Sequence, residues 1–337
     1  MQHFCKRMFC RVMAVAVTFI LSVATAFAQG QYALLTHEGQ TTVFRGADAL
    51  INANNAATDG DLITLSEGQF TGTGIYKNIT LRGSGMGVNG GKTTRLTVND
   101  DINGQYEYFS LRVSSPDGGG MLIEDISCDG EGIVIQGGNR IDLVRCNTAV
   151  RFGADINSVQ DMRIINCFIN SSIDNSRGSD NKPQIIGSVI DGNASGVQAV
   201  NCVLEKKGDK SVFVNCILTK DRYFSSRKDI TYDHCVIIYE LDESYDNYFD
   251  SDYADLQEHA PDCKMFKKAT PVFKEAGFYN LLDENATEWL GNDGTQVGIY
   301  GGNLPFDRAS NVLSIKTLKV ADKTDPEGIL KLEVEIE

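Results

Sequence analysis

The chain of 337 residues carries 31 Lys plus Arg against 45 Asp plus Glu, a formal charge of −14 at pH 7, with 42% hydrophobic residues. So acidic a surface repels nucleic acid and anionic polymers unless its charge is reversed locally, and no nucleic-acid partner is expected. Beyond the leader, no stretch has the roughly 20 uninterrupted apolar residues of a membrane-spanning helix.

Residues 1–28 form a predicted secretory signal. Lys6, Arg7 and Arg11 supply the positive start, Val12 to Ala24 the apolar run, and Ala26-Phe27-Ala28 the small residues for cleavage before Gln29. The mature chain is expected to be exported, to the periplasm, the cell surface or the exterior. Loss of the three leader cations takes its formal charge from −14 to −17.

An N-terminal segment, 29–60, follows. Val43 to Ala57 is predicted as a helix, with Phe44, Ala47, Leu50 and Ile51 on one face. It would cover the first edge of what comes next, since an uncapped edge exposes unpaired backbone. Asp59-Gly60 is then expected to turn the chain into a strand at Leu62, Ile63 and Leu65. From 61 to 303, short apolar strands alternate with turns containing Gly, Asn, Asp or Ser.

Within that span a phrase returns: RIINCFIN at 163–170, QAVNCVLE at 198–205, VFVNCILT at 212–219 and TYDHCVII at 231–238. Degenerate copies place Cys128, Cys146 and Ser188 in the same slot. The intervals along 128, 146, 167, 188, 202, 216 and 235 average roughly 18 residues, about one coil of a parallel β-helix. Like residues of successive coils should stack, a small Cys packing inside the bore and the neighbouring Asn bonding to the Asn one coil above. Six of the seven mature cysteines lie in the slot, so free buried thiols are expected, although stacked coils are close enough for a disulfide.

An insertion at 240–258 breaks the pattern: eight acidic residues, no Lys or Arg, and Tyr245, Tyr248, Phe249 and Tyr253 among them. Asp246, Asp250, Asp252 and Asp255 lie close enough in sequence to hold calcium, a hard cation that prefers carboxylate oxygens. Tyr245, Tyr248 and Tyr253 offer apolar ring faces to a sugar. The last segment, 304–337, is predicted as two strands around the Asp325-Pro326-Glu327-Gly328 turn, with Leu330, Leu332, Val334 and Ile336 on one apolar face.

The opening GADALINANNAATDGDLITLSEGQF, the following NITLRGSGMG, the NC phrases and the closing NDGTQVGIYGGNLPF together resemble exported bacterial right-handed parallel β-helix proteins of the pectin-lyase-like type. The resemblance implies an all-β right-handed parallel β-helix with an N-terminal cap helix and short C-terminal strands. It does not imply one reaction, because that superfamily spans lyases, hydrolases, tailspikes and adhesins.

Elimination from an acidic polysaccharide needs a cation on the uronate carboxylate and a Lys or Arg to take the neighbouring proton. Family lyases place an Asp and Glu calcium group beside such a base. The nearest match is Asp129 and Glu131, beside Asp125, with Arg140, Arg145 and Arg163 in later coils. Gly83 to Gly87 opens no helix, so it is expected to be a turn and not a phosphate loop. No Gly-His-Gly phrase is present, and His234 takes the Asn place of the repeat, where stacking is the simpler role. The leading expectation is an exported, non-catalytic β-helix that binds a polysaccharide or another surface partner along its flank. A polysaccharide lyase and a structural spacer or adhesin are the alternatives.

Overall fold

The structure, a computed structural model, describes residues 31–88, 92–99, 108–116, 119–153, 159–175, 181–221, 229–239, 249–267, 272–275, 279–306, 315–320 and 332–336. The predicted signal, Tyr245, Asp246 and Tyr248 lie outside them.

The chain is an all-β parallel β-helix. One long sheet begins with two antiparallel strands, Gln40–Arg45 and Tyr32–His37, and continues through Leu62–Leu65, Thr80–Arg82, Met121–Glu124, Ile141–Val144, Arg163–Ile165, Gln184–Ile186, Gln198–Val200, Val212–Val214 and Thr231–Asp233. From Leu62 onward every pairing in it is parallel. The second long sheet runs from Gly68–Thr71 to Lys264–Lys267, and a shorter third sheet, which includes Thr73–Ile75, Leu111–Ser115, Ile133–Asn139 and Val150–Phe152, closes the early coils. Side chains alternate in and out of the bore along each strand. One inner row stacks Ile63, Leu81, Ile123, Leu143, Ile164, Ile185, Ala199, Phe213 and Tyr232, with the last two rings stacked 5.7 Å apart.

The two short intervals are real coils. Gln184 pairs with Gln198 and Gln198 with Val212, so each turn closes in 14 residues. Such a coil has no separate third strand. Val189–Ser195 instead shifts register between Ile190 and Asn193 and carries on round the corner.

The repeat slot is explained by the turn before it. Asp125, Arg145, Asn166, Gly187, Asn201, Asn215 and His234 form a column at positive φ, between 48° and 57°, a region that Asn and Gly enter most readily. Leaving the strand ladder there deprives the next residue's N–H of its backbone partner, and the slot side chain of the following coil replaces it. Cys146 N donates to Cys167 Sγ (3.3 Å), Cys167 N to Ser188 Oγ (3.0 Å), Cys202 N to Cys216 Sγ (3.5 Å) and Cys235 N to Cys263 Sγ (3.2 Å). The same groups donate back to the carbonyl two residues earlier, as from Ser188 to Ile186 (2.9 Å) and from Cys216 to Val214 (3.2 Å). A small side chain that both donates and accepts is required, and Cys and Ser both qualify. All seven described cysteines are buried free thiols.

Three expectations are corrected. Cys128 is not in the slot: Asp125 makes the turn, Ile126 fills the slot, and Cys128 lies two residues on, opposite Leu96 in the second sheet. The asparagines do not bond from coil to coil. Held at positive φ they face outward, where Asn166 Nδ2 donates to Pro305 O (3.4 Å) and Asn215 Nδ2 to Asn292 Oδ1 (3.2 Å). The helix expected from Val43 is shorter. Thr41 to Phe44, β-branched and aromatic, pair instead with Thr36 to Ala33, and helix α1 spans Ala49–Ala56. It caps the bore with Ala49, Leu50 and Ala53, while Lys77 Nζ donates to its terminal carbonyls at Asn54 (2.7 Å) and Ala57 (2.6 Å).

Helix α2, Phe249–His259, packs Leu256 into the main core at the other end, with Ala260 just after it. The chain then makes its last solenoid strand, Lys264–Lys267, and passes to the outside. There α3, Asp283–Glu288, and the closing NDGTQVGIYGGNLPF lie on the outer face of the second sheet. Trp289, Val297, Ile299 and Phe306 bury Val189, Val203, Ile217 and Val236 in a second apolar cluster. Strands Ile315–Val320 and Leu332–Ile336 pair antiparallel, and the predicted Asp325-Pro326-Glu327-Gly328 turn lies outside the described residues. Among the described residues no helix is long and apolar enough to cross a membrane.

Candidate functional site

The outer face of the first long sheet carries a cleft of about 730 Å³ lined by Thr80, Leu122, Asp142, Arg163, Gln184 and Gln198 in one register-matched row. Each is four residues before a slot residue. A second row, six before the slot, supplies Gly120, Arg140, Asp161 and Lys182 as the wall. Arg140 and Asp161 sit at φ 54° and 51°, which swings them out of the strands that follow.

The charges interlock. Arg163 forms a two-pronged pair with Asp142 one coil above, its Nε at 2.7 Å from Oδ1, and Asp142 raises the guanidinium's pKa further. Arg140 Nε donates to Gly119 O at 3.1 Å. The cleft therefore holds three cations and two carboxylates, a local reversal in a chain of −14, with the amides of Asn181, Gln184 and Gln198 between them. Charge-bearing groups fixed in a row with amide donors and acceptors suit a polyhydroxylated chain lying across the coils.

The sequence candidates fall in different places. Arg140 and Arg163 line this cleft. Asp129 and Glu131 are engaged elsewhere, Asp129 Oδ1 by Arg95 Nε at 2.6 Å and Glu131 by Arg151 at 3.3 Å. Arg145 is buried in the positive-φ column, where it binds both oxygens of Asp125 at 2.8 Å and Glu124 at 3.0 Å, while Arg82 holds the other Glu124 oxygen at 2.6 Å. These residues join coils together. On α2, Asp250 is exposed. Asp252 faces the core and accepts from Tyr239 Oη at 2.6 Å; burial raises its pKa against that bond and the charge of Lys207. Asp255 lies beside His259, 3.3 Å from Nδ1. Tyr253, partly exposed, stacks in parallel on Phe249.

Asp142, Asp161, Lys182 and Gln184 were missed by motif reading because none belongs to a motif, and Gln198 was missed because it opens the QAVNCVLE phrase as a repeat residue with no chemistry of its own. Counting four and six residues back from each slot residue would have found them, since the register fixes which side chains share a row. No family model matches the chain, and neither does any curated protein or solved structure.

Proposed function

We propose that the protein is an exported, non-catalytic β-helix of the pectin-lyase-like type that binds a polysaccharide along its flank, in the cleft of Arg140, Asp142, Asp161, Arg163, Lys182, Gln184 and Gln198. The single observation that carries this reading is that residues of four successive coils align there as one row, the charged pair Asp142 and Arg163 followed by the amides Gln184 and Gln198. A row repeated at the coil spacing of about 4.8 Å matches an extended polymer better than a compact small molecule. The three cations make the cleft tolerant of a carboxylate on the sugar, which the remaining surface repels.

The same cleft also supports the second reading, a lyase, because carboxylates and basic groups meet in it. What counts against catalysis is their engagement: Asp142 is held by Arg163, which leaves Asp161 as the other cleft carboxylate where a calcium-assisted elimination calls for several. A glycan array read alongside ultraviolet absorbance of uronate polysaccharides, with and without calcium, separates the two. Retention without absorbance is the expected result. Absorbance growing with time would establish the lyase, and no retained glycan of any class would remove the binding reading.

A further inference from the structure

The lower end of the positive-φ column differs from the rest. Two residues before the slot, the outward row reads Val144, Ile165, Ile186, Val200 and Val214, and then Asp233. One residue before the slot, the row holds Asn166, Gly187, Asn201 and Asn215, and then His234. The following coil, whose slot is Cys263, supplies Asp262 beneath His234. An apolar row and an amide row thus both end in metal-ligating residues at the same corner.

Their ligand atoms converge. One donor atom from each of Asp233, His234 and Asp262 lies within 4.8 Å of the others. Asp233 and His234 are already fixed, Oδ1 to Nδ1 at 2.6 Å, with Asn292 Nδ2 holding the second Asp233 oxygen at 2.7 Å. Asn292 is anchored in turn by Asn215 Oδ1, which accepts from its backbone N–H at 2.9 Å. A tetrahedral ion with ligands at about 2.1 Å needs donors roughly 3.4 Å apart, so binding opens the 2.6 Å Asp233–His234 hydrogen bond, releases its proton and draws in the exposed Asp262. Asp233 with its amide partner is the arrangement that orients a first ligand.

We infer that Asp233, His234 and Asp262 form a site for a divalent transition ion of the zinc class, oriented by Asn292, that ties the last two coils to the C-terminal segment. An imidazole beside two carboxylates favours such an ion over calcium, which prefers an all-oxygen shell. Three protein ligands leave a coordination position open to solvent. The site is separate from the flank cleft and does not rest on the glycan reading.

The test is calorimetric titration of tag-free, chelator-treated protein with ZnCl2, MnCl2 and CaCl2. One zinc ion per chain is expected, bound at least tenfold more tightly than calcium. His234→Asn places in this turn the residue that positions 166, 201 and 215 already carry, so its melting temperature in chelator should equal that of the parent. Because loss of an orienting partner alone costs about 10- to 100-fold in affinity, loss of this ligand should weaken zinc by at least about 100-fold, and Asp262→Asn should weaken it comparably. Glu258→Gln, on the exposed face of α2, should leave it unchanged. Absence of zinc binding, zinc affinity in His234→Asn within about threefold of the parent, or calcium binding as tightly as zinc would each overturn the inference.

Discussion

Replacing Cys216 tests why the repeat keeps its slot residue. The thiol is fully buried; it accepts from Cys202 N at 3.5 Å and donates to Val214 O at 3.2 Å. Ala removes both bonds and strands the Cys202 N–H inside the bore, at about 1–3 kcal/mol, with about 1 kcal/mol more for the small void. Ser retains both bonds, as Ser188 does in the same slot, and should cost about 1 kcal/mol. Asp introduces a buried charge and should cost several kcal/mol. Denaturant melts of the three variants should rank Ser above Ala above Asp. If the slot were filled only for its apolar volume, Ala would match or exceed Ser, and that outcome would refute the capping argument.

All seven described thiols are buried. Burial raises the pKa of Cys146 and Cys216 and pushes Cys128 up to about 12, while hydrogen bonds from Cys216 and Cys263 lower Cys235 against its burial. With solvent access closed to every one of them, native residues 29–337 at pH 8 should show no reaction with a thiol reagent, against seven thiols after unfolding. Arg145→Met leaves buried Asp125 without its cation and should cost about 3–5 kcal/mol, a loss that Arg145→Met with Asp125→Asn recovers in large part in the same melts. Near the N-terminal hairpin, burial alone would raise Asp61, yet the N–H and hydroxyl of Thr58 and the ring of His37 hold it below its ordinary 3.8. Its contribution is present above that value and lost as pH falls through the depressed folded pKa. The His37 bond to Asp61 raises the imidazole above 6.5, so its share is complete below 6.5 and fades as pH rises through the folded value. Melting temperature against pH should show both slopes in the parent and neither in Asp61→Asn.

The solenoid was legible because stacking makes each coil repeat the last. Cys167, Cys202, Cys216 and Cys235 announced it, and the 14-residue spacing from 188 to 202 and from 202 to 216 is a coil that closes with two strands. The misplacement of Cys128 came from matching the cysteine when the physical constraint is the positive-φ turn before it, which Asp125 satisfies. The second apolar cluster was hidden because Val189, Val203, Ile217 and Val236 look like inward residues, and only the return of Trp289, Val297 and Ile299 across the outside buries them. The flank cleft was half legible: Arg140 and Arg163 stand out as charges, but Asp142, Asp161 and Gln184 acquire meaning only once the register assigns their rows.

The flank claim meets its most direct test in calorimetric titration of an array-selected oligosaccharide into the parent, Arg163→Ala, Gln184→Ala and the distant Arg95→Ala. Loss of at least about tenfold in affinity is expected for Arg163→Ala, since a hydrogen bond to a charged group contributes about 1.5–3 kcal/mol, and of about two- to tenfold for Gln184→Ala, whose neutral amide contributes about 0.5–1.5 kcal/mol, while Arg95→Ala binds like the parent and the melting temperatures of the cleft variants hold. Parent-like affinity in both cleft variants would place the ligand elsewhere and contradict the account.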